Sequence, residues 1–252
     1  MADSSSKPII FFDIASGPPV HTFAPNPWKT RYALNVKRVH YQTEWVDLPD
    51  ITNVRKRLNA APVRKFADGE DFYTLPVIQD QEKGEVVGDS FDIAVYLDKT
   101  YPDSGDRLFP NGVALSAAFN KYVDEAFTKH VILVAHGMPF NPETAEVSKA
   151  EFLRRTGLER WEQLAVEGEE RTKKIEEYKV GLNDLAAAYK YRPNAETPWL
   201  EGGTSPTYAD LIVGGWLAMM KNTFKEWEDM KTWHDGLWAR IDSELEKFAQ
   251  TH

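Results

Sequence analysis

The N-terminal part of the chain alternates between two hydrophobic periods. Apolar runs and two-residue alternation predict four strands, at residues 7–13, 41–48, 72–78 and 86–87. Helical spacing of the apolar positions predicts three helices among them, which open at Asn26, Asp50 and Ser90. The resulting order, β-α-β-α-β-β-α, is typical of a small α/β sheet domain.

After Gly112 the strand patterns almost vanish, and helical spacing predicts helices at residues 115–136, 143–164, 167–191, 211–220 and 233–249. Thr207 and Asp210 frame the start of the fourth of these as a capping box, with Asp in place of the preferred Glu. We therefore expect a disordered polar tail at residues 1–7, an α/β domain at 8–103, a linker at 104–111 and an all-helical domain at 112–252.

Composition excludes several kinds of chemistry and partner. The 252 residues include no cysteine, so disulfides, thiolate metal sites and cysteine nucleophiles are ruled out. The six histidines show no metal-ligand spacing, and we expect no metal site. The net charge of −9 argues against nucleic acid as a partner, and no apolar stretch is long enough to span a membrane. We expect a cytoplasmic protein without nucleic-acid or membrane partners.

The start of the first helix is a candidate anion site. Asn26 is a favourable N-cap, and Pro27 then falls at the first helical position, where its missing N–H costs nothing. A helix start carries free N–H groups and the positive end of a dipole, so it can hold an anion or a thiolate. An ordinary capped helix is the alternative interpretation of this stretch taken alone.

Three other motifs suggest which ligand that helix start could hold. They follow one another along the chain as Leu75-Pro76-Val77, Asp89-Ser90 and Thr207-Tyr208-Ala209-Asp210. Together with the order of the predicted elements, they resemble the motifs of cytosolic glutathione transferases. The resemblance covers nearly the whole chain. It implies a thioredoxin-like N-terminal domain, an all-α C-terminal domain, glutathione as co-substrate and a homodimer.

Within that family, residues 25–34 resemble the fungal etherase-related FuA class, which is related to bacterial β-etherases. This resemblance implies attack of the glutathione thiolate on hydrophobic aromatic electrophiles or aryl ethers. It also implies a link to wood decay, in the detoxification of wood-derived phenolics or the binding of polyphenols.

The resemblance places the glutathione site on the first domain. A cis bond before Pro76 would turn the backbone of Leu75 toward the ligand, whose peptide could pair with it like an added strand. Ser90 would bind the γ-glutamyl carboxylate, and Asp89 would pair with the ammonium group. The glycine carboxylate would be held by a cation of the preceding loop, Arg64 or Lys65. Solvated loop charges are the alternative for either one.

At the activating position the sequence departs from this resemblance. Most etherase-like members resemble Ser-Pro-Asn at this place, whereas the present chain has Ala24-Pro25-Asn26. A serine hydroxyl would donate a hydrogen bond to the sulfur of glutathione, since a free thiol titrates near pH ~8.5. Alanine has no such donor. We expect the Ala24 backbone and Asn26 to occupy the catalytic position, with Thr22 or Ser16 as further candidates.

The second substrate is expected in an apolar site between the first helix and the first long helix of the second domain. The candidate residues are aromatic: Phe23, Trp28, Phe119, Tyr122 and Phe127. Core packing is the more frequent role for each of them taken singly. Two functions stay open. One is a glutathione transferase, and the other is a ligandin-like polyphenol-binding protein without catalysis, which the alanine at position 24 favours.

Overall fold

A computed structural model describes residues 7–18 and 22–252. Its strands are β1 (Ile9–Ile14), β2 (Tyr41–Val46), β3 (Arg64–Lys65), β4 (Asp71–Phe72), β5 (Val77–Asp80) and β6 (Glu85–Gly88). Four of them form one sheet in the order β2-β1-β5-β6, and β3 and β4 form a separate pair. Strand β1 is parallel to β2 and antiparallel to β5, with Phe12 opposite Val77. Apart from Lys7, the predicted tail lies outside the described residues.

The described chain contains the α-helices α1 (Pro25–Val36), α2 (Ile51–Arg57), α3 (Ser90–Thr100), α4 (Val113–Thr128), α5 (Ile132–Ala135), α6 (Ala145–Thr156), α7 (Gly168–Gly181), α8 (Asn183–Ala188), α9 (Tyr208–Thr223), α10 (Trp227–Met230) and α11 (Trp233–Leu245). Short 3₁₀ segments lie at Leu48–Asp50, Trp161–Leu164, Tyr189–Tyr191 and Glu246–Phe248. The predicted order of the first seven elements is thus present, with one additional strand pair.

The predicted third strand is divided. Its first residue belongs to β4 and its last two residues to β5, because Pro76 has no N–H to donate to the sheet. The loop before it, for which no structure was predicted, contains β3, whose two residues pair antiparallel with β4. Strands of two residues are too short to show a hydrophobic period, so the sequence pattern could not reveal them.

Several predicted long helices are interrupted. Residues 115–136 form α4 and α5, and residues 167–191 form α7, α8 and a 3₁₀ turn. In the last helix, His234, Asp235 and Gly236 have φ values of 51°, 57° and 73°. These residues in the left-handed region interrupt the helical hydrogen bonds. The apolar period continues through the segment, and for this reason the sequence pattern predicted one unbroken helix.

Helix α1 is buried on nearly all sides and contains two charged residues with no exposed surface, Lys29 and Arg31. Arg31 donates a hydrogen bond of 2.7 Å to Asp13 of β1, which is also fully buried. Burial raises the pKa of Asp13, and the adjacent Arg31 guanidinium opposes that rise. A buried charge needs such a partner, so the ion pair fixes α1 against the sheet.

Helix α9 approaches the first turn of α1 at a glycine. A Cβ on Gly215 would lie 2.6 Å from the carbonyl oxygen of Pro25. Gly214 differs, since a Cβ there would meet the tip of the Leu245 side chain. Because Gly215 has no side chain, the backbone of α9 can pack directly against the first turn of α1.

We expect Gly215→Ala to lower the free energy of unfolding by about 1–3 kcal/mol, because backbone has to move to accept the new methyl group. Gly214→Ala is the matched control, since the Leu245 tip can rotate away and the loss should be smaller. Chemical denaturation of both variants measures the difference. Equal losses would contradict a specific constraint at the start of α1.

Candidate active site

Helix α1 begins two residues earlier than predicted, so the prediction of Asn26 as N-cap is wrong. Ala24 is the N-cap, with extended backbone at φ −73° and ψ 142°, and Trp28 N–H donates to its carbonyl oxygen at 3.2 Å. Pro25 and Pro27 occupy the first and third helical positions and have no N–H. Among the first three helical residues Asn26 therefore supplies the one free backbone N–H, where a helix without proline would offer three.

The side chain of Asn26 reinforces this feature. Its Oδ1 is buried and has no hydrogen-bond partner among the described residues. A buried polar atom without a partner is uncommon in a native fold, and it indicates a group that is completed by a ligand or water. The backbone N–H and the carboxamide N–H of Asn26 can donate to a thiolate at the start of α1, and its Oδ1 can accept the S–H of a neutral thiol.

The peptide bond between Leu75 and Pro76 is cis, as the resemblance implied. Strand β5 begins only at Val77, so the Leu75 backbone lies just outside the sheet ladder. The Leu75 N–H makes no hydrogen bond to a described residue, and its carbonyl accepts only a 3.4 Å contact from Thr74 Oγ1. A ligand peptide can pair with these groups by strand addition.

Asp89 and Ser90 stand at the start of α3. Asp89 is the N-cap, with a φ of 77°, and its Oδ1 accepts a hydrogen bond of 2.8 Å from Phe91 N–H. The other carboxylate oxygen has no partner in the described part of the chain and is available for a cation. Ser90 is held from the second domain by Tyr208, whose hydroxyl donates to the Ser90 carbonyl at 2.8 Å.

The two loop cations are engaged with the protein. The Arg64 guanidinium lies over the Phe72 ring at 4.2 Å, and Lys65 pairs with Asp71 at 2.8 Å. Both side chains are exposed, so they form part of the β3–β4 pair at the surface. Their prediction as ligands of the glycine carboxylate stays a prediction.

Arg55 was missed by sequence reasoning. It is 3% exposed and donates to the carbonyl oxygens of Thr74, at 2.6 Å, and Ala61. Burial lowers the pKa of Arg55, and the carboxylate of Asp89 acts in the opposite direction. The available signal was its position four residues after buried Ile51, on the inner face of α2.

The contact between α1 and α4 is ionic, whereas an apolar site was expected there. Lys29 donates to Asp124 at 2.5 Å and to Asn120 at 3.2 Å. Asp124 also accepts a hydrogen bond of 2.7 Å from Trp216 Nε1 of α9. Burial lowers the pKa of Lys29, and Asp124 opposes that decrease. One carboxylate thus joins three helices beside the start of α1.

The five aromatic candidates do not line one site. Phe127 has no exposed surface and stacks on Trp216 at 5.3 Å, so the structure gives it a packing role. Trp28 is also in the core, against Tyr32. Phe23 packs on Phe140 in a separate cluster that also contains Leu75. The remaining pair, Phe119 and Tyr122, lies 6.4 Å apart on α4, and Tyr122 is 41% exposed.

No helix of the described residues is long and apolar enough to cross a membrane. Within the same residues, no group of three or more His, Asp or Glu side chains is placed to hold a metal ion.

The described residues form a mixed four-stranded sheet, with a cis-proline just before β5, and no strand follows β6 in the described chain. This arrangement is the architecture of glutathione transferases. Two family models agree with this assignment. The model of the glutathione S-transferase N-terminal domain matches residues 23–100, and that of the C-terminal domain matches residues 114–248.

Known relatives extend over almost the whole chain. A glutathione S-transferase of Ceriporiopsis subvermispora, solved in complex with glutathione, is 35% identical at a TM-score of 0.86 and covers 98% of this chain and 99% of its own. Glutathione transferase GSTFuA3 of Phanerochaete chrysosporium is 31% identical at a TM-score of 0.86, covering 98% and 100%. The glutathione S-transferase-like protein ustS of Aspergillus flavus is 28% identical over 256 residues, which is 93% of this chain and 86% of that protein.

The chain belongs to the glutathione S-transferase family. The predicted thioredoxin-like domain followed by an all-helical domain is confirmed, as is the likeness to the fungal FuA class. Glutathione is the co-substrate of this family.

Proposed function

We propose that this protein is a glutathione transferase that acts on hydrophobic aromatic electrophiles or aryl ethers. The observation that carries the proposal is the start of α1, where Asn26 offers two kinds of donor to a thiolate: a free backbone N–H and the N–H groups of a carboxamide whose buried oxygen has no described partner. The start of α1 adjoins the apolar cluster of Leu75, since Ala24 packs against that cluster. The glutathione peptide would bind along Leu75, with its sulfur at Asn26.

In the proposed reaction, the thiol of glutathione loses its proton to solvent and the thiolate attacks the electrophilic carbon. A carbon–sulfur bond forms, and in an aryl ether the carbon–oxygen bond breaks so that a phenolate leaves. Asn26 stabilises the thiolate, whose charge develops at the positive end of the α1 dipole. Asp89 and Ser90 hold the γ-glutamyl end of glutathione by charge and hydrogen bonds.

Adding a hydroxyl at position 24 should increase the rate. The extended backbone of Ala24 accepts serine without strain, and one added donor to the thiolate should raise kcat/KM about tenfold or more. The assay is conjugation of a chloronitrobenzene by wild type and Ala24→Ser. Ala24→Gly is the control, because glycine is also a good N-cap but has no hydroxyl.

An equal gain in both variants would show that the cap conformation, and not the hydroxyl, limits the rate. A wild type that binds no glutathione at millimolar concentration in calorimetry would overturn the transferase proposal itself.

A second candidate is a ligandin-like protein that binds polyphenols without catalysis. Ala24 and the two prolines of α1 favour it, because they leave the thiol with fewer donors than a serine site has. Tight binding of a polyphenol together with no conjugation above the uncatalysed rate would support it. In either case we propose wood-derived phenolics as the natural ligands, and a cytoplasmic homodimer as the state of the protein.

A further inference from the structure

A helix of the second domain reaches the backbone that precedes the cis-proline. Arg155 of α6 donates a hydrogen bond of 3.0 Å to the carbonyl oxygen of Tyr73. Its side chain is 9% exposed, and it also lies over the Phe72 ring at 5.3 Å. The contact therefore joins two parts of the chain that are 82 residues apart, at a point two residues before Leu75.

Helix α6 holds Arg155 in place for this contact. The Arg155 Nε donates to Glu151 Oε1 at 2.8 Å, one turn earlier on the same helix. The helix itself is anchored by an aromatic cluster of Phe140, Phe152 and Trp161, with ring centroids 5.7–6.3 Å apart. That cluster packs on the same apolar group as Leu75, so α6 is a fixed support.

The neighbouring carbonyl is held from within the first domain. Arg55 of α2 donates to the Thr74 carbonyl oxygen at 2.6 Å. Two guanidinium groups thus bind the carbonyls of two consecutive peptide units, and the second unit carries the Leu75 N–H, which has no partner among the described residues. The geometry presents the Leu75 N–H as an unpaired donor on a peptide whose carbonyl is fixed.

We propose that Arg155 is a positioning residue, through which the second domain sets the affinity of the protein for glutathione. The inference rests on the proposed function, since it concerns the strand-like pairing of glutathione with Leu75. Loss of the guanidinium leaves the Tyr73 carbonyl unpaired and releases the peptides that carry Leu75. Pre-organised backbone donors lose most of their advantage when their supporting groups move.

Arg154 provides a matched control on the same turn. It also binds Glu151, at 2.8 Å and 3.0 Å, but it makes no contact with the Tyr73 carbonyl and is 48% exposed. A general loss of charge or of helix stability would affect the two variants alike. The two arginines differ in their burial and in the contacts that Arg155 makes with the Tyr73 carbonyl and the Phe72 ring.

The test compares glutathione binding and kinetics in Arg155→Gln, Arg154→Gln and wild type. We expect Arg155→Gln to raise the Kd and the KM for glutathione about tenfold, with kcat at saturating glutathione and the KM for the electrophile nearly unchanged. Arg154→Gln should match wild type. Glu151→Gln keeps both arginines but weakens the hydrogen bond that orients Arg155, so it should give an intermediate KM for glutathione. This variant replaces Arg155→Gln in the test if Arg155→Gln does not fold.

An unchanged Kd for glutathione in both Arg155→Gln and Glu151→Gln would overturn the positioning role, as would equal effects in Arg154→Gln. These outcomes are distinct from failure of the proposed function, which would appear as absence of glutathione binding in the wild type.

Discussion

Asp124→Ala is expected to lower the free energy of unfolding by about 3–5 kcal/mol, because it leaves a buried charge without its partner. Lys29 has no exposed surface, and Asp124 is its one carboxylate partner at 2.5 Å in the described chain. The same carboxylate accepts the indole N–H of Trp216, which would also lose its partner. Chemical denaturation of wild type and variant measures the loss.

The loss should depend on pH in a defined direction. Burial already lowers the pKa of Lys29 in the folded state, and removal of Asp124 removes the main group that opposes this decrease, while the charge of Asp89 still acts against it. The unfolded state then binds more protons than the folded state between the lowered pKa and the ordinary lysine value of ~10.4, so stability rises with pH across that window. The difference in free energy of unfolding between wild type and Asp124→Ala should therefore decrease as the pH approaches 10.

Two variants separate this effect from simple loss of packing. Lys29→Met in the Asp124→Ala background removes the unpaired charge and should restore much of the stability. Glu125→Ala breaks the neighbouring pair of α4 with Lys121, in which both side chains are mostly exposed, and it should resemble wild type. A loss in Asp124→Ala no greater than in Glu125→Ala would contradict the structural assignment.

Asn26→Ala should reduce kcat/KM for conjugation about a hundredfold, which corresponds to removal of one donor to a developing anion. The KM for glutathione should change little, because Leu75, Asp89 and Ser90 are proposed to bind other parts of the molecule. Asn26→Asp keeps the shape but adds a negative charge beside the sulfur, so it should be at least as impaired. Steady-state kinetics with glutathione and a chloronitrobenzene check both.

Asn35→Ala is a control on the same helix. The Asn35 side chain donates to the carbonyl oxygens of Phe248 and Gln250 at the C-terminal end of the chain, far along α1 from its start. It should retain the conjugation rate. A rate for Asn26→Ala equal to that of wild type would exclude the carboxamide from thiol activation.

Sequence reasoning reached the fold because its evidence is local. Three of its signals depend on neighbouring residues only: the hydrophobic period, the proline at position 76, and the capping box of Thr207 and Asp210. The structure shows this capping box with both of its reciprocal hydrogen bonds. The start of α1 was misplaced by two residues because Pro-Asn-Pro offers two prolines that suit a first helical position. The structure selects Pro25, and this leaves Asn26 inside the first turn.

The supporting residues of the site could not be predicted in the same way. Lys29, Arg55 and Arg155 are charged, and a charge on a helix usually indicates a solvated face. Their burial depends on partners that are distant in sequence, such as Asp124, which is 95 positions from Lys29. For the same reason, Phe127 was a candidate ligand contact until its stacking on Trp216 placed it in the core.

Asn26, at the start of α1, is proposed to stabilise the glutathione thiolate in place of a serine. The most direct measurement is the pH titration of the ultraviolet thiolate absorbance of glutathione bound to wild type and to Asn26→Ala. We expect the pKa of the bound thiol to lie clearly below the free value of about 8.5 in wild type and to return toward that value in the variant. An identical titration of the two proteins would contradict it.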